Sequence, residues 1–251
     1  MKLDIVTFSV NERDDYVRFW GPQSKYTKEK LGLHPVLLYC GKDDIDLDED
    51  YGDVHRIYCG DDIPTYLPSA WGYFWVSSLY PDRTCITSGI DMFIVDADYF
   101  NSKIESFGEE SYVVMNATGY NTLDSFYDSK STLPSYYHIA KGSTFSNVLG
   151  FEASFVDEVH KYNSLDYSNK YRGYSENVLV HEASVENGGK WCLDEMYSSD
   201  KILDYINRSE NAVELLSMDD TQWGDNNPNS PFYHFHKPYP TAEQIFEMVG
   251  V

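Results

Sequence analysis

Three places in the chain put carboxylates or imidazoles where they could do chemistry. The first is Asp91, which follows Ser88-Gly89-Ile90 and precedes an apolar run from Met92 to Val95. A short buried strand over Cys85 to Thr87, ending there, delivers one acid to the C-terminal rim of a sheet, where α/β proteins bind ligands. An aspartate capping a turn satisfies the same pattern. The second place is Asp194-Glu195, expected in the first turn of a helix after Gly188-Gly189. The helix dipole keeps a carboxylate ionised there, which suits a base or charge stabiliser better than a proton donor; acids also gather at helix starts for the dipole alone. The third is Tyr233-His234-Phe235-His236-Lys237-Pro238. Strand alternation puts His234 and His236 on one face. Two imidazoles beside an ammonium could hold a divalent ion and a phosphate, or could be structural histidines beside a surface charge.

The elements that must position these groups follow from apolar patterning. Leu3 to Val10 reads as a strand, Tyr16 to Leu31 as an amphipathic helix closed by Gly32, and His34 to Cys40 as a second strand. Strand, helix, strand in this span is a βαβ unit, so a parallel pair is expected. Val54 to Cys59 is a third strand. A helix opening near Ser69 carries Trp71, Trp75 and Leu79 on one stripe, which reads as core. The later part is less regular: strands over Ser111 to Asn116, Tyr136 to Ala140, Val213 to Met218 and Phe232 to His236, a helix over Thr144 to Tyr162 interrupted at Gly150, another over Ser175 to Ala183, and a short one from Thr241. The expectation is one α/β domain, 1–251, with no internal repeat and no linker. Its first half is 1–98 and its second half 99–251.

Composition narrows the function classes. With 41 acidic and 19 basic residues the formal net charge is −22, which opposes nucleic acid and anionic membrane surfaces. A nucleotide ligand then needs a metal ion or a local cluster of donors against its phosphates. The 22 tyrosines and 5 tryptophans suit planar or polyhydroxyl ligands, or simply fill core and surface. Cys40, Cys59, Cys85 and Cys192 form no CxxC pair and are expected as buried free thiols. The acidic Asp43 to Asp53 run fails the EF-hand pattern, because the positions needing Gly and Glu hold Glu49 and His55. No apolar run is a membrane span and the N-terminus lacks a signal core, so a cytoplasmic location is expected.

In chain order, these motifs resemble the GT-A family of nucleotide-sugar glycosyltransferases. Ser88-Gly89-Ile90-Asp91-Met92-Phe93 looks like the family's Asp-x-Asp segment at the end of a Rossmann-like half. Trp191-Cys192-Leu193-Asp194-Glu195 resembles the later segment carrying a catalytic or acceptor-orienting acid. Phe235-His236-Lys237-Pro238 resembles the C-terminal segment that gives a third metal ligand and a phosphate-binding lysine. The compact length is similar to small glycosyltransferase domains of large algal DNA viruses. One departure stands out: the first aspartate of Asp-x-Asp is Gly89, so the motif is degenerate. Asp96-Ala97-Asp98 spells the motif literally but is placed past the apolar run, at a helix start.

The resemblance implies a GT-A fold with a mixed central sheet and an irregular acceptor half. It implies a UDP- or GDP-sugar donor, a glycan or small hydroxyl acceptor, and Mn²⁺ or Mg²⁺. Asp91 with His236 or His234 is the implied metal set, and Asp194 or Glu195 the catalytic acid. Thr7-Phe8-Ser9, through its main chain, is the implied base contact; Arg13 is a candidate base or phosphate contact, or else a loop charge; Ser88, Gly89, Ile90 and Lys237 complete the nucleotide set. Tyr136-Tyr137-His138 and Tyr171 to Tyr174 are candidate acceptor contacts. Two alternatives stay open: a non-catalytic carbohydrate- or nucleotide-binding protein that lost activity with the missing aspartate, and a metal-dependent nucleotidyltransferase or phosphohydrolase.

Overall fold

The computed structural model describes residues 1–118, 133–151, 154–164, 193–208, 213–218, 230–235 and 238–251, without the side chains of 162 and 193–197. Strand β1 (Ile5–Asn11) lies between β2 (His34–Cys40) and β4 (Thr84–Thr87), parallel to both, and β3 (Asp53–Ile57) extends the sheet beyond β2. On the other side β7 (His138–Lys141) runs antiparallel between β4 and β6 (Tyr112–Val114), and β8 (Val213–Leu215) pairs parallel with β6. The seven-stranded order is β3-β2-β1-β4-β7-β6-β8. The protein is therefore α/β with a mixed, mostly parallel central sheet.

Burial on both faces explains the apolar runs that form the central strands. Successive residues of β2 alternate between two cores: Val36, Leu38 and Cys40 face one, Leu37 and Tyr39 the other. Helix α3 (Tyr66–Ser78) covers the first face, burying Trp71 and Phe74 over β1 and β2. Trp75 stacks on Phe155 at 4.9 Å, so both tryptophans belong to packing. Gly72 lets α3 settle, because a Cβ there would come within 2.4 Å of Leu38 and 2.5 Å of Ser9. On the second face α1 (Asp14–Val17) leads into α2 (Trp20–Glu29), whose Phe19–Trp20 start packs with Phe8 and Phe93. Each such side chain fully withdrawn from water contributes about 1.5–3 kcal/mol.

A small second sheet pairs β5 (Met92–Ile94) antiparallel with β9 (Phe232–His234). Between them in sequence lie α4 (Ala97–Ile104), α5 (Gly142–Leu149), α6 (Phe155–Asn163) and α7 (Leu193–Arg208); α8 (Ala242–Val249) follows. Asp96 is the N-cap of α4, its Oδ1 accepting from the Tyr99 N–H at 3.0 Å, as the helix-start placement required. The single helix expected over Thr144 to Tyr162 is two, α5 and α6. Gly150 takes φ +70° and ends α5 with its N–H on Ser146 O, a left-handed stop that a glycine adopts without a Cβ clash. Thr241 and Gln244 form a capping box that starts α8. The expected strand end at His236 is observed two residues earlier, at His234. The Ser175 to Ala183 helix lies outside the described residues. Cys40, Cys59 and Cys85 are buried free thiols; burial pushes Cys59 up to about 11 and the other two higher, so none is a reactive thiolate.

Candidate active-site cleft

A cleft of about 630 Å³ opens where β1 and β4 end. Its walls include Ser9, Asn11, Arg13 and Tyr16 from the end of β1 and the turn after it, and Tyr73 from α3. Asp91 and His234 line it from the Gly89–Met92 turn and from β9. This is the carboxyl edge of a parallel sheet, where loops rather than side-chain rows face solvent.

The Gly89–Met92 turn is fixed from three directions. Its ends close on each other through the Met92 N–H to Gly89 O at 3.0 Å. The fully buried Gln23 side chain donates to Ile90 O at 3.2 Å and Met92 O at 2.9 Å, and the Ser88 hydroxyl donates to Met92 O at 3.1 Å. Pairing of β5 with β9 then sets Met92 opposite His234, and the Phe235 N–H donates to Asp91 O at 2.9 Å. The result is a carboxylate and an imidazole from opposite ends of the chain, with Asp91 Oδ2 and His234 Nε2 3.7 Å apart. Asp91 is 14% exposed and His234 32%, so both are recessed yet reachable.

Gly89 has a steric role in this turn. A Cβ there would sit 3.0 Å from Asp91 Oδ1 and 3.2 Å from Met92 Cγ and Sδ. Any side chain at 89 therefore requires Asp91 or Met92 to give by a few tenths of an ångström.

The other expected site residues divide. Thr7 and Phe8 are buried in the sheet: the Thr7 hydroxyl lies 2.8 Å from that of Ser77, Thr7 O accepts from the Ser88 N–H, and Phe8 packs in the core. From this part of the chain the expected Ser9 and Arg13 line the cleft, together with Asn11. Arg13 is held by Asp15 through two contacts, at 3.0 and 2.5 Å, and lies 4.8 Å over the Tyr16 ring. Its guanidinium is raised above its ordinary value, first by that hydrogen bond. Ser88 is buried, while Gly89 and Ile90 line the cleft. Asp194 and Glu195 fall in the first turn of α7, with side chains outside the described ones. His236, Lys237 and Tyr171 to Tyr174 also lie outside the described residues. Of the tyrosine-histidine triplet, Tyr136 lines the cleft, whereas Tyr137 and His138 are buried. Tyr137 has φ +59°, uncommon for a bulky residue. It is held there by its N–H on Thr87 O and by the Met115 N–H on its own carbonyl.

Gln23 and Tyr239 had no mark in the sequence pattern, and Asn116 was marked only as a strand end and as the first residue of the glycosylation acceptor triplet Asn116-Ala117-Thr118. Gln23 sits on the apolar face of α2, where a buried amide implies backbone partners. Tyr239 donates its hydroxyl to Asp91 Oδ2 at 2.8 Å. Burial first, then Tyr16 and Asp91, push this phenol far above its ordinary value, so it stays protonated. Asn116 follows β6 at the same sheet edge as the cleft; it is 1% exposed and both its amide atoms lack a partner among the described residues. A buried amide in that state costs about 1–3 kcal/mol until something bonds it.

As a metal seat, Asp91 and His234 supply two donors within reach of one ion. No group of three or more His, Cys, Asp or Glu side chains suited to an ion occurs among the described residues. Mg²⁺-like ions commonly bind through one or two protein ligands plus water and substrate phosphates, so the pair fits a cation shared with a diphosphate. No helix among the described residues is long and apolar enough to cross a membrane.

No protein-family model matches the chain, and no curated protein matches it. Among solved structures it is similar to an active-site mutant of LgtC, at 10% identity over 98% of this chain and 95% of that one, TM-score 0.47. It is also similar to the galactosyltransferase LgtC in complex with donor and acceptor sugar analogues, at 9% identity over the same shares, TM-score 0.42. A third is the apo bifunctional glycosyltransferase WbbM, at 8% identity over 99% of this chain and 49% of that one, TM-score 0.37. At this distance the likenesses assign no activity to the chain.

Proposed function

We propose that this protein is a GT-A-type glycosyltransferase that moves a sugar from a UDP- or GDP-sugar to a hydroxyl of a glycan or small molecule, with Mn²⁺ or Mg²⁺ in the site. The observation that carries the reading is the β5–β9 pairing, which brings His234 to Asp91 at the carboxyl edge of the sheet inside a cleft. A fold alone would not support it. The resemblance in motif order, Asp91 first and the histidine segment last, points the same way.

A bound divalent cation would neutralise the diphosphate as it leaves. In the transfer, the bond from C1 to the diphosphate oxygen breaks and its electron pair leaves with the diphosphate. The acceptor oxygen bonds C1 and gives up its proton to a carboxylate, the role we assign to Asp194 or Glu195. Asp91 and His234 would hold the cation, and the Ser9 to Arg13 wall would receive the base and ribose. Lys237, two residues beyond Phe235, would meet the phosphates. Tyr136 and its neighbours in the cleft would offer aromatic faces to the sugar or the acceptor.

The test is release of nucleoside diphosphate from a panel of UDP- and GDP-sugars with Mn²⁺. Release from at least one donor, lost in Asp91→Asn, is expected. Gly89 favours one alternative, a binding protein without turnover. Mn²⁺-dependent thermal stabilisation by UDP or GDP with no release from any donor would establish that alternative and remove the enzyme.

A further inference from the structure

The hydroxyl of Tyr239 reaches Asp91 from the stretch just before α8, 148 residues away in sequence, and meets Oδ2 at 2.8 Å. A carboxylate oxygen accepts and never donates, so the one hydroxyl hydrogen of Tyr239 belongs to Asp91. The Tyr16 hydroxyl, 3.3 Å from that of Tyr239, then supplies the hydrogen between the two phenols. Tyr239 is itself fixed: its ring packs 5.5 Å from Tyr16 and edge-on to Phe19 at 5.3 Å. Pro238 and Pro240 flank it and restrict the backbone, and the capping box at Thr241 anchors the chain that follows.

We propose that Tyr239, backed by Tyr16, is a positioning residue for Asp91. It engages one lone pair of Oδ2, so that the other faces His234 across the 3.7 Å gap, and it thereby sets the affinity of the pair for a divalent cation. The inference rests on the reading that Asp91 and His234 hold that cation. Its physical basis is the softness of an aspartate's terminal torsion, which is broad unless something pins it. On the Oδ1 side the neighbour is Gly89, which has no side chain to brace the carboxylate. The phenol supplies that brace from the far end of the chain. Tyr16 lines the cleft, so the brace also links the cleft's N-terminal wall to the metal pair.

Removing a hydrogen-bond partner of a metal ligand typically weakens metal binding about 10–100-fold. The experiment titrates Mn²⁺ alone into the full chain and into Tyr239→Phe and Tyr16→Phe, reading free ion by electron paramagnetic resonance, with thermal unfolding of each metal-free protein alongside. Expected are one Mn²⁺ bound by the wild type, a 10–100-fold weaker site in Tyr239→Phe, a smaller loss in Tyr16→Phe, and metal-free unfolding midpoints within a few degrees of one another. Equal affinity in wild type and Tyr239→Phe overturns the positioning role and leaves the metal reading standing. No Mn²⁺ bound by the wild type, either alone or with UDP or GDP added, overturns both. Should Tyr239→Phe fail to fold, Tyr16→Phe decides: unchanged affinity overturns the role, and a weaker site supports it.

Discussion

Two edges of the same sheet carry the same three side chains and put them to different ends. At the amino edge, Asp53 Oδ2 accepts from Tyr80 at 2.7 Å and meets His34 Nε2 at 2.9 Å, with His55 on the Tyr80 hydroxyl at 3.0 Å. At the carboxyl edge, Asp91 Oδ2 accepts from Tyr239 at 2.8 Å and faces His234 Nε2 at 3.7 Å. The tyrosine contacts are alike; the histidine contacts are not. Asp53 and His34 are closed on each other, and the Asp53 side chain is 50% exposed. Asp91 and His234 stand apart by more than a hydrogen bond in a recess, with Asp91 only 14% exposed. One triad is closed by a direct histidine contact on the surface, while in the other the carboxylate and imidazole stand at a separation that two ligands of one cation can share. The composition of an aspartate-histidine-tyrosine group therefore says little about its role; the missing contact says more.

Asp91→Asn breaks the contrast most directly. Nucleoside-diphosphate release is expected to fall to the buffer blank, while Asp53→Asn at the other edge leaves turnover within a factor of about 2. Loss in both variants, with both still folded, would mean that the amino edge also serves the reaction. Asp194→Ala comes next: general-base assistance is worth about 10²–10⁴-fold, so turnover should fall by that much with nucleotide binding retained in a thermal-shift assay. Unchanged turnover would remove Asp194 from the site, and the same measurement on Glu195→Ala would then decide between the two.

Gly89→Asp sharpens the comparison from the other side, since it restores the spelling of the family motif. Because a Cβ at 89 already presses on Asp91 Oδ1 at 3.0 Å, the new carboxylate adds repulsion where the open pair must stay aligned. The expected outcome is weaker Mn²⁺ binding and turnover lowered about 10-fold, in keeping with misplacement of a positioned ligand. A gain in turnover would show that the turn relaxes and that Gly89 is a simple loss.

What the residues disclosed by themselves was whatever has a local period. The strand His34–Cys40 has the bounds its apolar run implies, and Asp96 caps a helix as its spacing from the apolar run requires. The placing of Asp91 at the end of a buried strand was legible for the same reason. Its partners were not. Gln23 grips the turn across 67 to 69 residues and Tyr239 across 148, and no window along the chain contains both members of either pair. At the end of β1, strand burial claims the side chains of Thr7 and Phe8 and leaves Ser9, Asn11 and Arg13 to line the cleft, so the implied base contact of Thr7 and Phe8 is one for the main chain alone. Gly150, where the apolar pattern is interrupted, takes a left-handed backbone stop and ends α5, so the expected helix is two.

The smallest effect is expected from the closed triad, and it is visible only against pH. Partial burial pushes the Asp53 carboxyl up, but the hydrogen bonds from Tyr80 and His34 and the nearby imidazoles outweigh it, so the group is held below its ordinary value. A carboxyl depressed in the folded state contributes stability above its unfolded value of about 3.9. That contribution disappears as pH falls through the folded value. Since the pair is half exposed and screened by solvent, its worth is at most about 1 kcal/mol. Urea unfolding of wild type and Asp53→Asn at pH 6 should thus differ by up to that amount, and the two curves should converge as pH is lowered below about 4. Curves that stay parallel across the acid range would mean that Asp53 holds its edge by shape alone, and that closure of its contact with His34 adds nothing to the fold.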